Sequence, residues 1–467
     1  MPAVDQALNS ATATPQPDNP AATPLPTRPL YSPGELVDYT AQTGDNIPAL
    51  AVRFNTSVDE IMASNSFIPK DVTTLPPGMP MKIPIYYAPL WGSPYHILPD
   101  GLFVDGPAQI GFDTAAFVES HPGWLKNYSG FSLGATRDGA QTVDLIALNY
   151  SISPRLLLAL LEYQSGALSQ PEPPAGAEDY ALGKVESRHK GLYLQLAWAS
   201  DLLNDGYYRY RMGEINSITR RDGTLERPDP WQNAASVALQ NYFSQLLPVD
   251  RYFKAISQDG FASTYRDLFG DPWATDVAHI PGSLTQPQFN LPFELGTTWA
   301  FTGGPHTGWG NLEPWSALDF APPSVVGGCA TTDEWATAVA SGIVARSDPG
   351  VVVLDLDGDG DERTGWVVFH LHVATEGRAP AGAKLNAGDR IGHPSCEEGK
   401  STGTHIHIAR KYNGEWIPAY GVLAFNLDGW ISAKGTEPYQ GALTRFGNTV
   451  VACVCSNGKS FITAEKP

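Results

Sequence analysis

Two histidines separated by one residue, in Thr402-Gly403-Thr404-His405-Ile406-His407, constrain this chain more tightly than any other feature. Side chains alternate across a strand, so His405 and His407 share one face while Ile406 and Ile408 take the other. Six of the ten histidines fall between positions 306 and 407: His306, His370, His372, His393, His405 and His407. Asp319 lies among them. Imidazole and carboxylate are the ligand types of catalytic zinc, which keeps three protein ligands and an open fourth position. A zinc enzyme is the expected class.

At 467 residues the chain exceeds one ordinary domain, and two to four are expected. Forty Pro and forty-six Gly imply many turns, as in β-rich extracellular proteins. The net charge of −19 excludes a nucleic-acid partner, whose phosphates demand a basic surface. It also gives no attraction to an anionic membrane or wall, so wall binding must rest on shape and hydrogen bonds. No stretch approaches the ~20 apolar residues that span a bilayer. A polar run follows Met1 with no apolar signal core, and an exported protein whose leader was removed is expected. The four cysteines, 329, 396, 453 and 455, allow three pairings. Cys329–Cys396 is the preferred bridge, with Cys453 and Cys455 closing on one another or bonding elsewhere.

Residues 1–34 are rich in Pro, Ala and Thr and read as a disordered linker that cannot bury a core. Over 35–87, a strand at Tyr39-Thr40-Ala41 runs into the Gly44-Asp45-Asn46 turn and a helix from Pro48 to Phe54. A Ser57-capped helix with Asp59 and Glu60 in its first turn follows, and a strand after Pro77-Gly78 closes the unit. This βααβ pattern resembles a LysM module. The resemblance implies binding to N-acetylglucosamine polymers such as the glycan of peptidoglycan.

Residues 88–285 have helical apolar spacing, as in Val143–Leu148, Pro154–Tyr163, Leu192–Leu203 and Ala234–Leu247, with Pro154 in a first-turn position. Ser153-Pro154 through Glu162-Tyr163-Gln164-Ser165-Gly166 is similar to the active-site helix of lytic transglycosylases, a lysozyme-like fold. That family's catalytic Glu stands directly before Ser-Gly, where this chain has Gln164. An amide cannot protonate a glycosidic oxygen, and Glu162 lies on another side of the helix. The resemblance therefore implies an inactive or substrate-holding helical domain; a plain helical spacer is the alternative.

From about Leu291 short strands alternate with Gly, Pro and Asp turns, as in Ser341–Arg346, Gly350–Asp355 and Thr364–Phe369, which indicates an antiparallel sheet. The series His306-Thr307-Gly308, Leu318-Asp319-Phe320, His370-Leu371-His372, Gly388-Asp389-Arg390-Ile391-Gly392 and Thr402–His407 is similar to the lysostaphin/LytM-type zinc endopeptidases of peptidoglycan. This implies a metallopeptidase domain over 286–430, followed by a C-terminal extension over 431–467. It also implies that His306, Asp319 and His407 bind Zn2+, with His372 and His405 flanking the activated water. Twelve residues separate His306 from Asp319 where that family has three, so Trp309–Ser316 is expected to be a loop insert. His370 and His372 share a strand face by alternation, and the family's spacing favours His372.

Asp355-Leu356-Asp357-Gly358-Asp359-Gly360-Asp361 starts like an EF-hand loop, which raises Ca2+ at Asp355, Asp357 and Asp359. Its twelfth position is Trp366 rather than a bidentate Glu, and a solvated turn between strands is the favoured reading. The chain is thus expected to be a multidomain α+β protein, exported to the cell envelope or beyond. Its expected function is cleavage of stem or cross-bridge peptides; the alternative is a non-catalytic wall-docking protein with the same fold.

Overall fold

The computed structural model of the chain describes residues 28–86, 88, 90–324, 327–455 and 458–465. Most of the Pro-rich linker read in the sequence therefore lies outside the described residues. At the N-terminal end, strands Glu35–Thr40 and Pro80–Ile85 pair antiparallel around helices Ile47–Arg53 and Val58–Ser64. Asn46 caps the first helix by accepting from Ala49 N. Ser57 and Glu60 form a reciprocal capping box at the second. Val37, Tyr39, Leu50, Phe54, Ile61 and Ile83 fill the small core between them. This unit is docked on the rest of the chain. Trp231 meets Phe54 edge-on at 4.8 Å and donates to Asp38 O, while the Thr73 and Thr74 hydroxyls donate to Leu284 O and Pro281 O.

The middle of the chain is a helical bundle. Its long helices are Gly139–Tyr150, Pro154–Ser165, Leu192–Arg211 and Ala234–Leu246. Asp138 caps the first with a capping box, and Ser153 caps the second with Pro154 at its first position. Gly166, at φ +61°, ends that helix in the left-handed region, where glycine carries no side-chain penalty. Glu162 is spent locally, its Oε2 accepting from Leu168 N and Ser169 N. Gln164 is partly buried, beside the Tyr242 hydroxyl.

Beyond Leu291 a nine-stranded antiparallel sheet carries the chain's histidine cluster. Its order is Lys384–Leu385, Gly342–Asp348, Gly350–Asp355, Trp366–Val373, Ile406–Tyr412, Ala317–Ala321, Thr298–His306 and Phe461–Thr463, with Glu415–Trp416 paired to Ile406–Tyr412. The last strand closes an edge, so the segment read as an extension supplies both a strand and the buried side chains of Leu443, Val450 and Ile462. One face packs Val352, Leu354, Val368, Ile406 and Ile408 into a core with Phe293 and Trp299. The other packs Val351, Val353, Val367, Phe369 and Ala409 into the same core as the helices. Burial on both faces explains why Val351-Val352-Val353-Leu354 is a continuous apolar run instead of an alternating one. Both disulfides are closed, Cys329–Cys396 and Cys453–Cys455.

Candidate metal centre

Three adjacent strands bring the histidines together. His407 sits opposite Asp319 in the register of Ile406–Tyr412 with Ala317–Ala321, and Gly303 sits opposite Asp319 on the other side. His306 ends the third strand, facing Ala317 across a bulged stretch. The long gap between His306 and Asp319 is a loop joining two paired strands. Its far end is anchored on the rest of the fold, with Asn311 bonded twice to Asp201 and Trp315 O accepting from Ala419 N. The insert therefore does not separate the two side chains.

His306 Nε2, His407 Nδ1 and Asp319 Oδ1 form a near-equilateral triangle. The two imidazole nitrogens are 3.0 Å apart, and each lies 3.2 Å from the carboxylate oxygen. All three residues are buried. The second nitrogen of each ring is committed to a carbonyl: His306 Nδ1 donates to Gly304 O at 2.8 Å, and His407 Nε2 to Gly308 O at 3.1 Å. A carbonyl only accepts, so these bonds fix the tautomers. In the neutral rings the two nitrogens facing Asp319 then carry lone pairs, not protons. Asp319 Oδ1 accordingly is buried with no hydrogen-bond partner.

Three converging lone pairs repel one another unless a cation lies between them. A tetrahedral zinc with bonds of 2.0–2.1 Å sets its ligands about 3.3 Å apart, close to the triangle found here. The donor set and its second-sphere carbonyls fit that ion. Gly303 makes room for the Asp319 carboxylate: a Cβ at that position would lie 2.4 Å from Asp319 Oδ2.

His405 and His372 flank the triangle. His405 Nε2 is 3.7 Å from Asp319 Oδ1, and the His405 and His372 rings are 4.5 Å apart. Each Nδ1 donates to a carbonyl, His405 to Gly403 O and His372 to Glu397 O, which leaves both Nε2 atoms free as acceptors. The structure parts His370 from His372, against simple alternation. Gly350 pairs with Val373 and Val351 with Leu371, so His372 is the extra residue of a bulge and has φ +64°. A bulge re-aims its side chain. His370, paired with Ile408, stays on the opposite face, with Nδ1 bonded to Val352 O.

Burial pushes the Asp319 carboxyl up, but His306 and His405 beside it outweigh burial and hold it well below the usual range. Burial lowers His407 and drives His372 down to about 4, with His405 adding to the latter. Neutral imidazoles and an ionised carboxylate are the forms a metal requires.

Two contributors were not read from the sequence. Tyr439 stacks on His306 at 4.1 Å with the planes 22° apart, and its backbone O accepts from Gly304 N. Gly303 is the other, and its signal was available: glycine inside a strand pattern marks a close approach. Among the acidic-turn residues, the carboxylates of Asp355, Asp357 and Asp359 do approach one another. Asp355 Oδ2, however, already accepts from Gly358 N and Gly360 N.

Comparison with known proteins divides along the same regions. Residues 39–84 match the family described as LysM domain, and residues 96–282 match that described as LasA, N-terminal domain. The chain is 26% identical over 343 residues to Protease LasA of Pseudomonas aeruginosa, an overlap of 69% of this chain and 75% of that protein. Over that stretch the chain is similar to Protease LasA. Among solved structures, the M23 metalloprotease pseudoalterin is 22% identical with a TM-score of 0.31, covering 36% of this chain and 96% of its own. The catalytic domain of lysostaphin from Staphylococcus simulans is 19% identical with a TM-score of 0.18, covering 26% of this chain and 85% of its own.

Proposed function

We propose that this protein is a zinc endopeptidase that cleaves stem or cross-bridge peptides of peptidoglycan. In this reading His306, Asp319 and His407 hold the metal, and the N-terminal LysM module holds the glycan. The observation that carries it is the triangle of donor atoms 3.0–3.2 Å apart, with every spare ring nitrogen tied to a carbonyl. The kinship with Protease LasA and the LysM match support the protease activity and the wall substrate.

When bound, zinc supplies Lewis acidity, bringing the pKa of a water to about 7 and polarising a carbonyl. The chain's own residues do the rest. The free Nε2 of His405 or His372 takes the proton released as water attacks the amide carbon, then returns it to the departing amine. While it carries that proton as an imidazolium, the same ring can donate from Nε2 to the oxygen on which charge develops. Gly304, Gly308, Glu397 and Gly403 carbonyls hold the four rings in the tautomers this requires. Calcium has no place in this reading, because Asp355 is occupied by backbone donors and the run serves as a turn.

A wall substrate places the protein's work outside the cytoplasmic membrane, and closed disulfides suit an oxidising compartment. No helix among the described residues is long and apolar enough to cross a membrane. The test is digestion of purified peptidoglycan. New free amino groups, lost in His407→Ala, are expected. New reducing ends would point to glycan cleavage, and wall binding with no released product would point to a docking protein.

A further inference from the structure

A cavity of about 380 Å3 opens at one end of the helical bundle. Its walls are apolar and aromatic: Leu102, Ala108, Phe112, Tyr265 and Phe269, with Phe112 and Phe269 edge-on at 5.9 Å. One charged group enters it. Arg155 lays its guanidinium over the Phe112 ring at 4.4 Å. Its only hydrogen bonds among the described residues run from Nη1, to Ala108 O at 2.7 Å and Gln109 Oε1 at 2.9 Å. Neither acceptor is charged. Elsewhere in the fold Arg53, Arg211 and Arg346 each meet a carboxylate. Among the described residues Arg155 meets none, in a chain with a net charge of −19. Beside it Gln109 is fully buried, and its Nε2 has no partner.

This cavity is separate from the metal centre. Arg363 donates to Gln109 O, which ties the cavity to the turn just before strand Trp366–Val373. His372 lies six residues along that strand, roughly 20 Å away at about 3.3 Å per residue. Ligand sites of this size pair apolar walls with a few fixed polar groups. Guanidinium recognises a planar carboxylate through two N–H groups at once, and Arg155 leaves Nε and Nη2 unused.

We propose that this cavity binds a small organic carboxylate with an apolar body. The carboxylate is taken by Arg155 and the body lies against Phe112 and Phe269. The shared chemistry has two sources, the C-terminus of a short apolar peptide and a free apolar acid.

Calorimetric titration of the full-length chain as purified tests this, with the cavity variants below separating it from any carboxylate taken at the metal centre. The probes are N-acetyl-phenylalanine, N-acetyl-phenylalanine amide and hexanoate. The acid is expected to bind one per chain and the amide at least about ten-fold more weakly. Arg155→Gln should weaken the acid by a similar factor. Thr275→Trp, at an exposed lining residue, should close the cavity and abolish binding while leaving the fold intact. Tighter binding of N-acetyl-phenylalanine than of hexanoate assigns the peptide end; the reverse assigns the free acid. The proposal is overturned if acid and amide bind alike, if neither acid saturates by about 10 mM, or if Thr275→Trp binds as the unaltered chain does.

Discussion

Replacing Gly303 with alanine tests whether Asp319 must stand where it does. The added Cβ would lie 2.4 Å from Asp319 Oδ2 and 2.9 Å from both Cβ and Cγ of the same residue. Ordinary contacts between such atoms begin near 3.5 Å, so the carboxylate must retreat by about 1 Å. Gly303 does not occupy the left-handed region, which leaves the clash as the principal cost of the change. Asp319 Oδ1 is held 3.2 Å from each imidazole nitrogen, and metal sites tolerate shifts of only about 0.2 Å. A displacement several times that tolerance should weaken zinc binding by about 100-fold, or ~2.8 kcal/mol at 1.4 kcal/mol per decade. Competition against a chromophoric chelator measures the affinity, with far-UV circular dichroism to confirm an unchanged fold. Zinc affinity within two-fold of the unaltered protein would refute the placement of Asp319 among the ligands.

Three further outcomes are expected. His370→Ala should leave zinc stoichiometry and peptide cleavage intact while lowering the melting temperature, because His370 faces the core away from the site; His372→Ala should instead lower kcat with zinc retained. Glu415 is pushed up by burial, but Arg211 and the hydrogen bond from His279 outweigh this and bring it to about 2. A depressed carboxyl contributes stability above its unfolded pKa near 4.5 and loses it as pH falls towards 2, so urea unfolding between pH 5 and 2 should show a loss of about 3 kcal/mol that Glu415→Gln removes. Cys329→Ser with Cys396→Ser should cost up to about 4 kcal/mol for a 67-residue separation, read as a lower urea midpoint, and should loosen the loop preceding His405.

The grouping of the candidate ligands was legible in part because strand geometry is local. The alternation of His405 and His407 is a property of the backbone, and the structure places both next to Asp319. Ser57 with Glu60 and Ser153 with Pro154 announced helix starts for the same reason. What local reading missed depends on pairing across the sheet. The bulge that turns His372 towards His405 exists because Gly350 and Val351 slip against Val373 and Leu371, a register no single segment encodes. Tyr439 reaches His306 from more than a hundred residues downstream, through contacts of its backbone with Gly304 and Pro305. That the helices share one core with the sheet was half-visible, in the continuous apolar runs at Val351–Leu354 and Trp366–Phe369. Such runs demand cover on both faces, but they do not name what supplies it.

The central claim is that His306, Asp319 and His407 hold one zinc at which peptide bonds are cut. Zinc titration of the full-length chain, with metal content determined after gel filtration, tests it most directly. One zinc per chain is predicted for the unaltered protein and none for His407→Ala at the same free zinc concentration. A chain that retains no zinc, or a His407→Ala variant that retains as much as the unaltered protein, would contradict the account.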